Sequence, residues 1–256
     1  MKQRPFLILS NDDGYQAKGL RVLIDTLRTL CELLVVAPET VQSGMANAMT
    51  ASLPITLRKV RSERGLKVYA CSGTPTDCVK LAVSHLLKGR RPDLVVSGIN
   101  HGDNSSVNSH YSGTLGAAYE GVMHGIPAVA FSLCDFNPDA DFEPLKPYLI
   151  DFVFKAIAAG LPPLTCLNIN FPLAPKFKGV RICRMARTHW DNEFTRARRP
   201  GRPGAYVYWL TGNRVNEEPD ATDTDDWALQ NGYIAVTPET LDLTAHGLLA
   251  SLRDVF

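Results

Sequence analysis

The residues of this chain that could do chemistry fall in four short stretches. The apolar run "PFLILS" (5–10) stops at Asn11-Asp12-Asp13-Gly14, and "ELLVVAPE" (32–39) runs into a polar segment holding Ser43 and Asn47. "PDLVVSGIN" (92–100) ends at Asn100 and continues through His101, Gly102 and Asn104, while "HYSGTLGAAYEG" opens on Ser112, Gly113 and Thr114. Two carboxylates, a hydroxyl and an amide oxygen are hard ligands. They suit Mg²⁺ or Mn²⁺ with water completing the shell, and do not suit structural zinc, which takes Cys and His. Asn-Asp-Asp-Gly alone is a common turn, because Asx side chains bond their own backbone. Three such polar strand ends at one sheet edge favour the cation. Adjacent strand residues point to opposite faces, so Asp12 and Asp13 share an ion only if the chain already turns there, which Gly14 permits.

Ser112, Gly113 and Thr114 read as a helix N-terminus, whose free N–H groups and positive dipole end form an anion site usually filled by phosphate. A phosphate site beside a divalent cation implies phosphoryl chemistry. His101 is the best histidine for a general acid and His110 abuts the anion loop; His85 and His124 read as structural, and His189 and His246 stay unassigned. Asp13 and His101 remain alternatives for moving a proton, and water and Asp12 remain alternatives for the attacking group. The chain has no Walker A loop, no G-x-G-x-x-G after its first strand, no G-x-S-x-G elbow, no D-x-D phosphatase pattern and no EF-hand spacing.

The elements that must position these residues follow from periodicity. Short apolar runs at 5–10, 32–39, 67–72, 92–100 and 126–133 read as buried strands, with an edge strand or hairpin around 53–60. Leu20, Leu23, Ile24, Leu27 and Leu30 form one helical stripe, and 73–87 opens a second helix with Thr74 as N-cap, Pro75 at the first position and Asp77 completing a capping box. A third helix spans 111–125, capped by Ser112 and stopped by Gly125. The alternation predicts an α/β fold: a doubly wound, Rossmann-like, mostly parallel sheet over residues 1–135 that holds the metal and phosphate sites. Residues 136–256 complete the sheet, with a helix at 141–162, a strand at 164–172 and a final strand and turn after residue 231. A polar, Arg-rich segment, about 186–226, reads as a protruding β-hairpin arm. Its "YVYW" (206–209) is a poor free surface and predicts packing on another subunit. Arg196, Arg198, Arg199 and Arg202 read as a solvated loop by default, or as a contact for a polyanionic substrate.

The 256 residues carry a formal net charge of +1 and are 45% hydrophobic, which supports a large core and gives no global field toward nucleic acid or membrane. Six scattered cysteines without a C-x-x-C pair read as reduced core thiols. The basic start followed by a short apolar run is too brief for a signal segment, and no stretch is long enough to span a bilayer, so the expected location is cytoplasmic.

The stretches "SNDDGYQAKGL", "VVAPETVQSGMANAMT", "CSGTPTDCVKLA", "PDLVVSGINHGDNSSVNSHYSGTLGAAYEG" and "TDDWALQNGYIAVTPETLDLTAH" together resemble the SurE family of stationary-phase survival proteins, known as 5'/3'-nucleotidases. The resemblance implies a metal-dependent phosphatase acting on nucleoside monophosphates, with one divalent ion per subunit on Asp12, Asp13, Ser43 and Asn100. It places the phosphate-proximal loop on Gly102, Asn104, Ser112, Gly113 and Thr114; Asn47, from the polar segment after the second strand, is expected to bind substrate as well. It also implies a homodimer or homotetramer exchanging C-terminal segments. An exopolyphosphatase and a non-catalytic nucleotide-binding module are the alternatives. Lys18, Ser106 and Asn108 depart from the family's usual Pro, Gly and Asp, the last two in the loop over the site.

Overall fold

The structure is a computed structural model that describes residues 4–202 and 204–256. Residues 1–3, part of the basic start, and Pro203, inside the arginine run, lie outside the described residues.

In chain order the elements are β1 (Phe6–Ser10), α1 (Lys18–Leu27), β2 (Glu32–Pro38), β3 (Leu57–Glu63), β4 (Leu66–Cys71), α2 (Pro75–Leu81), β5 (Leu94–His101), α3 (Gly113–Met123), β6 (Ala128–Leu133), α4 (Lys146–Ala159) and β7 (Thr165–Phe171). There follow β8 (Val180–Ile182), β9 (Thr188–Asp191), β10 (Phe194–Arg198), β11 (Tyr206–Leu210), β12 (Asn213–Asn216), α5 (Asp225–Gln230), β13 (Ile234–Thr240) and α6 (Leu249–Arg253). One sheet runs β3-β4-β2-β1-β5-β6-β7-β13-β8. Strands β4 through β7 are mutually parallel; β3 pairs antiparallel at one edge and β13 antiparallel to β7. This is the doubly wound, mostly parallel α/β sheet that the alternation predicts.

From β1 the chain winds outward through β2 and β4, then resumes on the other side at β5. The sheet therefore reverses direction between β1 and β5, and ligands bind outside the carboxyl ends of strands at such a switch point. Asn11-Asp12-Asp13 and Asn100-His101 are the residues at those two ends. Helices α1 and α4 cover one face, with Leu20, Leu23, Phe131 and Phe152 in the core beneath; α2 and α3 cover the other over Ile8, Val36 and Val95. Two glycines let helices approach: a Cβ at Gly19 would stand 2.0 Å from the Ile99 carbonyl oxygen, and one at Gly121 would stand 2.5 Å from Val95.

Several local expectations shift. Thr74 and Asp77 form the capping box, but α2 ends at Leu81 and gives way to a wider turn through Leu86. Leu30 lies past the end of α1 and is 38% exposed. The chain after β13 ends in a short helix, α6, rather than a turn alone; β8 and α5 were also not foreseen, being too short for periodicity to register. The arm consists of two antiparallel ribbons in series, β9–β12 and then β10–β11. Phe194, Tyr208, Trp209 and Leu210 are exposed on it, as are Leu243, Leu252 and Phe256 on the tail. All six cysteines are free, five of them buried. Among the described residues no helix is long and apolar enough to cross a membrane.

Candidate active site

Asp12 stands just beyond β1 and is 3% exposed. Its carboxylate accepts a bond from the hydroxyl of Thr114, in the first turn of α3. Gly113 makes that approach possible: a Cβ there would lie 2.8 Å from Asp12 Cβ and 3.1 Å from its Oδ2. Burial pushes the Asp12 carboxyl up to about 6; the Thr114 hydroxyl bond opposes this and the neighbouring Asp13 charge adds to it. Burial also raises Asp13, against the pull of the His101 backbone N–H, which donates to its Oδ2 at 3.3 Å. Among the described residues neither acid has a Lys, Arg or His ion-pair partner. Beside them, Asn11 donates to the Gly14 carbonyl (3.0 Å), while its buried side-chain oxygen has no partner among the described residues.

A buried carboxylate beside a half-buried one, with no ion-pair partner among the described residues, is expensive unless a cation or a proton relieves it. The donors around them suit a hard cation. Ser43 is held near Asp12 because the Gln42 N–H donates to the Asp12 carbonyl (2.7 Å). Asn100 donates its amide nitrogen to the Gly102 carbonyl (2.9 Å), which leaves the oxygen as its free end. A register shift between Ser97 and Asn100 bends β5 there, the usual effect of a bulge at a sheet's functional end. No three His, Cys, Asp or Glu side chains cluster as metal ligands among the described residues, so any ion here relies on neutral oxygens and water beside the two acids.

A cleft of about 500 Å³ opens over this floor, and Asp12, Ser43, Asn100, His101, Asn104 and Ser112 line it. Asp13 sits behind His101. The imidazole of His101 packs edge-on against Phe142 at 4.8 Å between centroids. Asn104 is the most constrained residue of the floor. Its side chain donates to Ser132 Oγ (2.8 Å), its N–H donates to Asn170 Oδ1 (2.8 Å), and its carbonyl accepts from Asn168 (2.8 Å). Asn168 in turn donates to Glu239 (2.8 Å), which accepts from Tyr119.

Other residues expected in the phosphate loop have different surroundings. Gly102 spends its N–H on the Leu133 carbonyl (2.8 Å) and has φ +98°; the Phe136 ring lies where a Cβ would go, 2.2 Å from that position. Gly113 and Thr114 act on Asp12 as described, and neither lines the cleft. The Ser112 hydroxyl accepts from the Leu115 N–H (3.1 Å), so it caps α3 while facing the cleft. Asn47 is exposed on its loop and lines no part of the cleft, because Ala46 turns the chain there onto the Tyr111 carbonyl (3.1 Å) and against Gly116. His110 is exposed outside the cleft, and His124, His189 and His246 pair with Glu120, Glu217 and Asp242.

The departures from the family pattern also have structural counterparts. Lys18 donates to the Asp139 and Ala140 carbonyls (3.1 and 2.7 Å). Ser106 holds a positive φ of 54°, and both its N–H and its hydroxyl donate to buried Asp225 at 2.7 Å. Asn108 accepts from the indole N–H of Trp190 (3.1 Å). Residues 7–192 match the family described as "Survival protein SurE". The chain belongs to the SurE family. A protein named 5'-nucleotidase SurE from Bacteroides thetaiotaomicron is 48% identical over 251 residues, covering 98% of this chain and 96% of that one. Its namesake from Phocaeicola vulgatus is 50% identical over 253 residues, covering 99% and 97%. The crystal structure of the SurE protein from Aquifex aeolicus superposes with a TM-score of 0.83 at 34% identity, covering 98% of this chain and 99% of that one.

The far wall of the cleft was not foreseen from the sequence: Tyr111 and Phe136, then Trp190, Glu193, Leu210 and Thr211 from the arm. Phe136 lies just past the end of β6, a position the strand-end rule could have singled out. The arm residues are distant in sequence and arrive because the ribbon packs on the loop after β5, where the Val107 N–H donates to Thr188 Oγ1 and the Trp190 indole to Asn108 (both 3.1 Å). The Arg-rich tip between β10 and β11 lies at the other end of that ribbon from Glu193; at ~3.3 Å per residue the separation is about 16 Å, so within one chain the arginines line a separate shallow pocket.

Proposed function

We propose that this chain is a divalent-metal-dependent phosphomonoesterase that hydrolyses nucleoside 5'- or 3'-monophosphates to nucleoside and phosphate. The observation that supports this most is the adjoining Asp12 and Asp13 carboxylates, raised by burial and without an ion-pair partner among the described residues, with Asp12, Ser43 and Asn100 lining one cleft. Asp12, Asp13, Ser43 and Asn100 would hold one Mg²⁺ or Mn²⁺ per subunit. Such an ion supplies Lewis-acid polarisation of a phosphoryl oxygen and eases ionisation of water.

The chain's own residues do the rest. Thr114, with glycine at 113, fixes the Asp12 carboxylate. The amide of Asn104, pinned through Ser132 and Asn170, and the hydroxyl of Ser112 bind phosphoryl oxygens and oppose charge that builds there. His101 faces the cleft and donates a proton to the leaving oxygen, with Asp13 as the alternative. The names of the relatives agree with this chemistry. The bare aromatic surface of the arm and tail supports a homodimer or homotetramer in which these segments pack on a neighbouring subunit, and six free thiols agree with a cytoplasmic setting. An exopolyphosphatase would need the arginine tip to reach a cleft on another subunit, and is the second reading for that reason.

Release of inorganic phosphate from AMP and GMP, with and without EDTA, tests the proposal. Activity should vanish in EDTA and return with Mg²⁺ or Mn²⁺, and ¹⁸O from water should enter phosphate on the first turnover if water attacks. Undiminished activity in EDTA sinks the metal assignment, and failure to hydrolyse any nucleotide sinks the substrate class.

A further inference from the structure

Resting on the nucleotidase reading, we infer that Trp190 is the platform on which the substrate's base stacks, with Asn108 as the residue that positions it. The cleft is far larger than a phosphate needs; about 500 Å³ is the scale of a site that encloses a whole small molecule. Its lining is of two kinds: Asp12, Asn100 and Asn104 are polar and suit the phosphate, and Tyr111, Phe136 and Trp190 are aromatic.

Of these three rings, Trp190 is the one fixed by a side-chain hydrogen bond. Its indole N–H donates to Asn108 Oδ1 at 3.1 Å, and Gly212 backs it so closely that a Cβ there would stand 3.4 Å from Trp190 Cε3. Asn108 is itself anchored: its N–H donates to the Ser105 carbonyl (3.1 Å), in a turn clamped by the Ser106–Asp225 pair. Tyr111 and Phe136 are more exposed, at 54% and 76%, and no hydrogen bond of Phe136's ring can fix it. Among the described residues no aromatic ring or cation stacks on Trp190, whereas Trp227 is covered by Tyr233 and Arg181. A ring held at its edge with an unstacked face, lining the same cleft as Asp12 and Asn100, matches what a flat heteroaromatic base requires. Because the ring is already ordered, binding loses little side-chain entropy.

A purely structural Trp190 would only tie the arm to the loop at Asn108. The two roles separate when substrates with and without a base are compared. Trp190→Ala and Trp190→Phe are assayed on AMP and on ribose 5-phosphate, which keeps the phosphoester and the sugar. Stacking predicts that the ratio of kcat/KM for AMP to that for ribose 5-phosphate falls on the order of 10- to 100-fold in Trp190→Ala, through KM. Trp190→Phe should keep most of the ratio, and Asn108→Ala should lower it part of the way. An unchanged ratio overturns the inference, whether both substrates lose activity together or neither does. Calorimetric binding of adenosine to the wild type and Trp190→Ala reads the same contact without turnover. Binding weakened at least tenfold in the variant upholds the platform even if no phosphate is released from AMP; equal binding, or none to the wild type, overturns it.

Discussion

Asp12→Asn should make the metal-free protein more stable while destroying its activity. The folded carboxyl ionises at about 6 and the unfolded one at its ordinary 3.8, a difference equivalent to about 3 kcal/mol. Below pH 3.8 both states hold the proton and there is no penalty. Between 3.8 and about 6 the unfolded chain releases its proton and the folded chain keeps it, so unfolding is favoured progressively as pH rises. Above about 6 the full penalty applies and no longer changes. Asparagine removes this charge but exchanges the charge-assisted bond from the Thr114 hydroxyl for a neutral one, which returns about 1 kcal/mol. The expected net gain is about 2 kcal/mol at pH 8 in EDTA, read by urea denaturation, shrinking toward zero or below at pH 4. Adding Mg²⁺ or Mn²⁺ at ~100 times its Kd should stabilise the wild type by about 2.7 kcal/mol and leave the variant unmoved. A variant less stable than wild type in EDTA at pH 8, or a difference independent of pH, would refute the reasoning that burial without a counter-charge strains Asp12.

Gly113→Ala should reduce activity at least tenfold with a modest loss of thermal stability, because the new Cβ must displace the Asp12 side chain or the Gln42 carbonyl 3.2 Å away; turnover and Tm on the same preparation check it. Ser106→Ala keeps the positive φ and loses the hydroxyl bond to Asp225, costing about 2 kcal/mol, whereas Ser106→Gly loses the bond but relieves the backbone and should stay within about 1 kcal/mol of wild type; denaturant midpoints should rank glycine above alanine. Arg214→Met leaves Asp103 and Asp226 without their shared guanidinium and should cost about 3 kcal/mol and speed proteolytic nicking of the arm. Lys80→Met should cost about 1 kcal/mol, little because Lys80 is half-exposed although Glu120 is buried, and adding Glu120→Gln should recover the loss.

The central sheet was legible because its strands are continuous apolar runs separated by amphipathic helices, and the two acids at the end of β1 follow from the strand-end rule. The Thr74–Asp77 box and the Ser112 cap were legible for a similar local reason: each needs only a three-residue spacing. Thr114 was expected at an anion site; in the structure its hydroxyl donates to the Asp12 carboxylate, a contact that spacing alone does not show. Gly102 was expected in the same loop, and the Phe136 ring that lies on it is a contact from beyond the local sequence. Trp190 gave no signal at all, because its place in the cleft depends on a contact with Asn108, 82 residues away in sequence.

The floor of the cleft holds two kinds of buried polar group, treated in opposite ways. The amides of Asn104, Asn168 and Asn170 form a run of hydrogen bonds ending at Glu239 and Tyr119, and each amide donates to a neighbouring oxygen. A satisfied network in a low-dielectric interior is rigid, so it can hold Asn104 to one geometry without a charge. Buried Asp12 and Asn11, with half-buried Asp13 beside them, are instead left short of partners among the described residues. A fold selected for stability alone would have neutralised them, as it did Glu120 with Lys80. Local rules that hold throughout the sheet fail at one point, and that point coincides with its topological switch. Such a failure is expected where stability has been given up for binding, since only a ligand of opposite charge turns the cost of those acids into affinity.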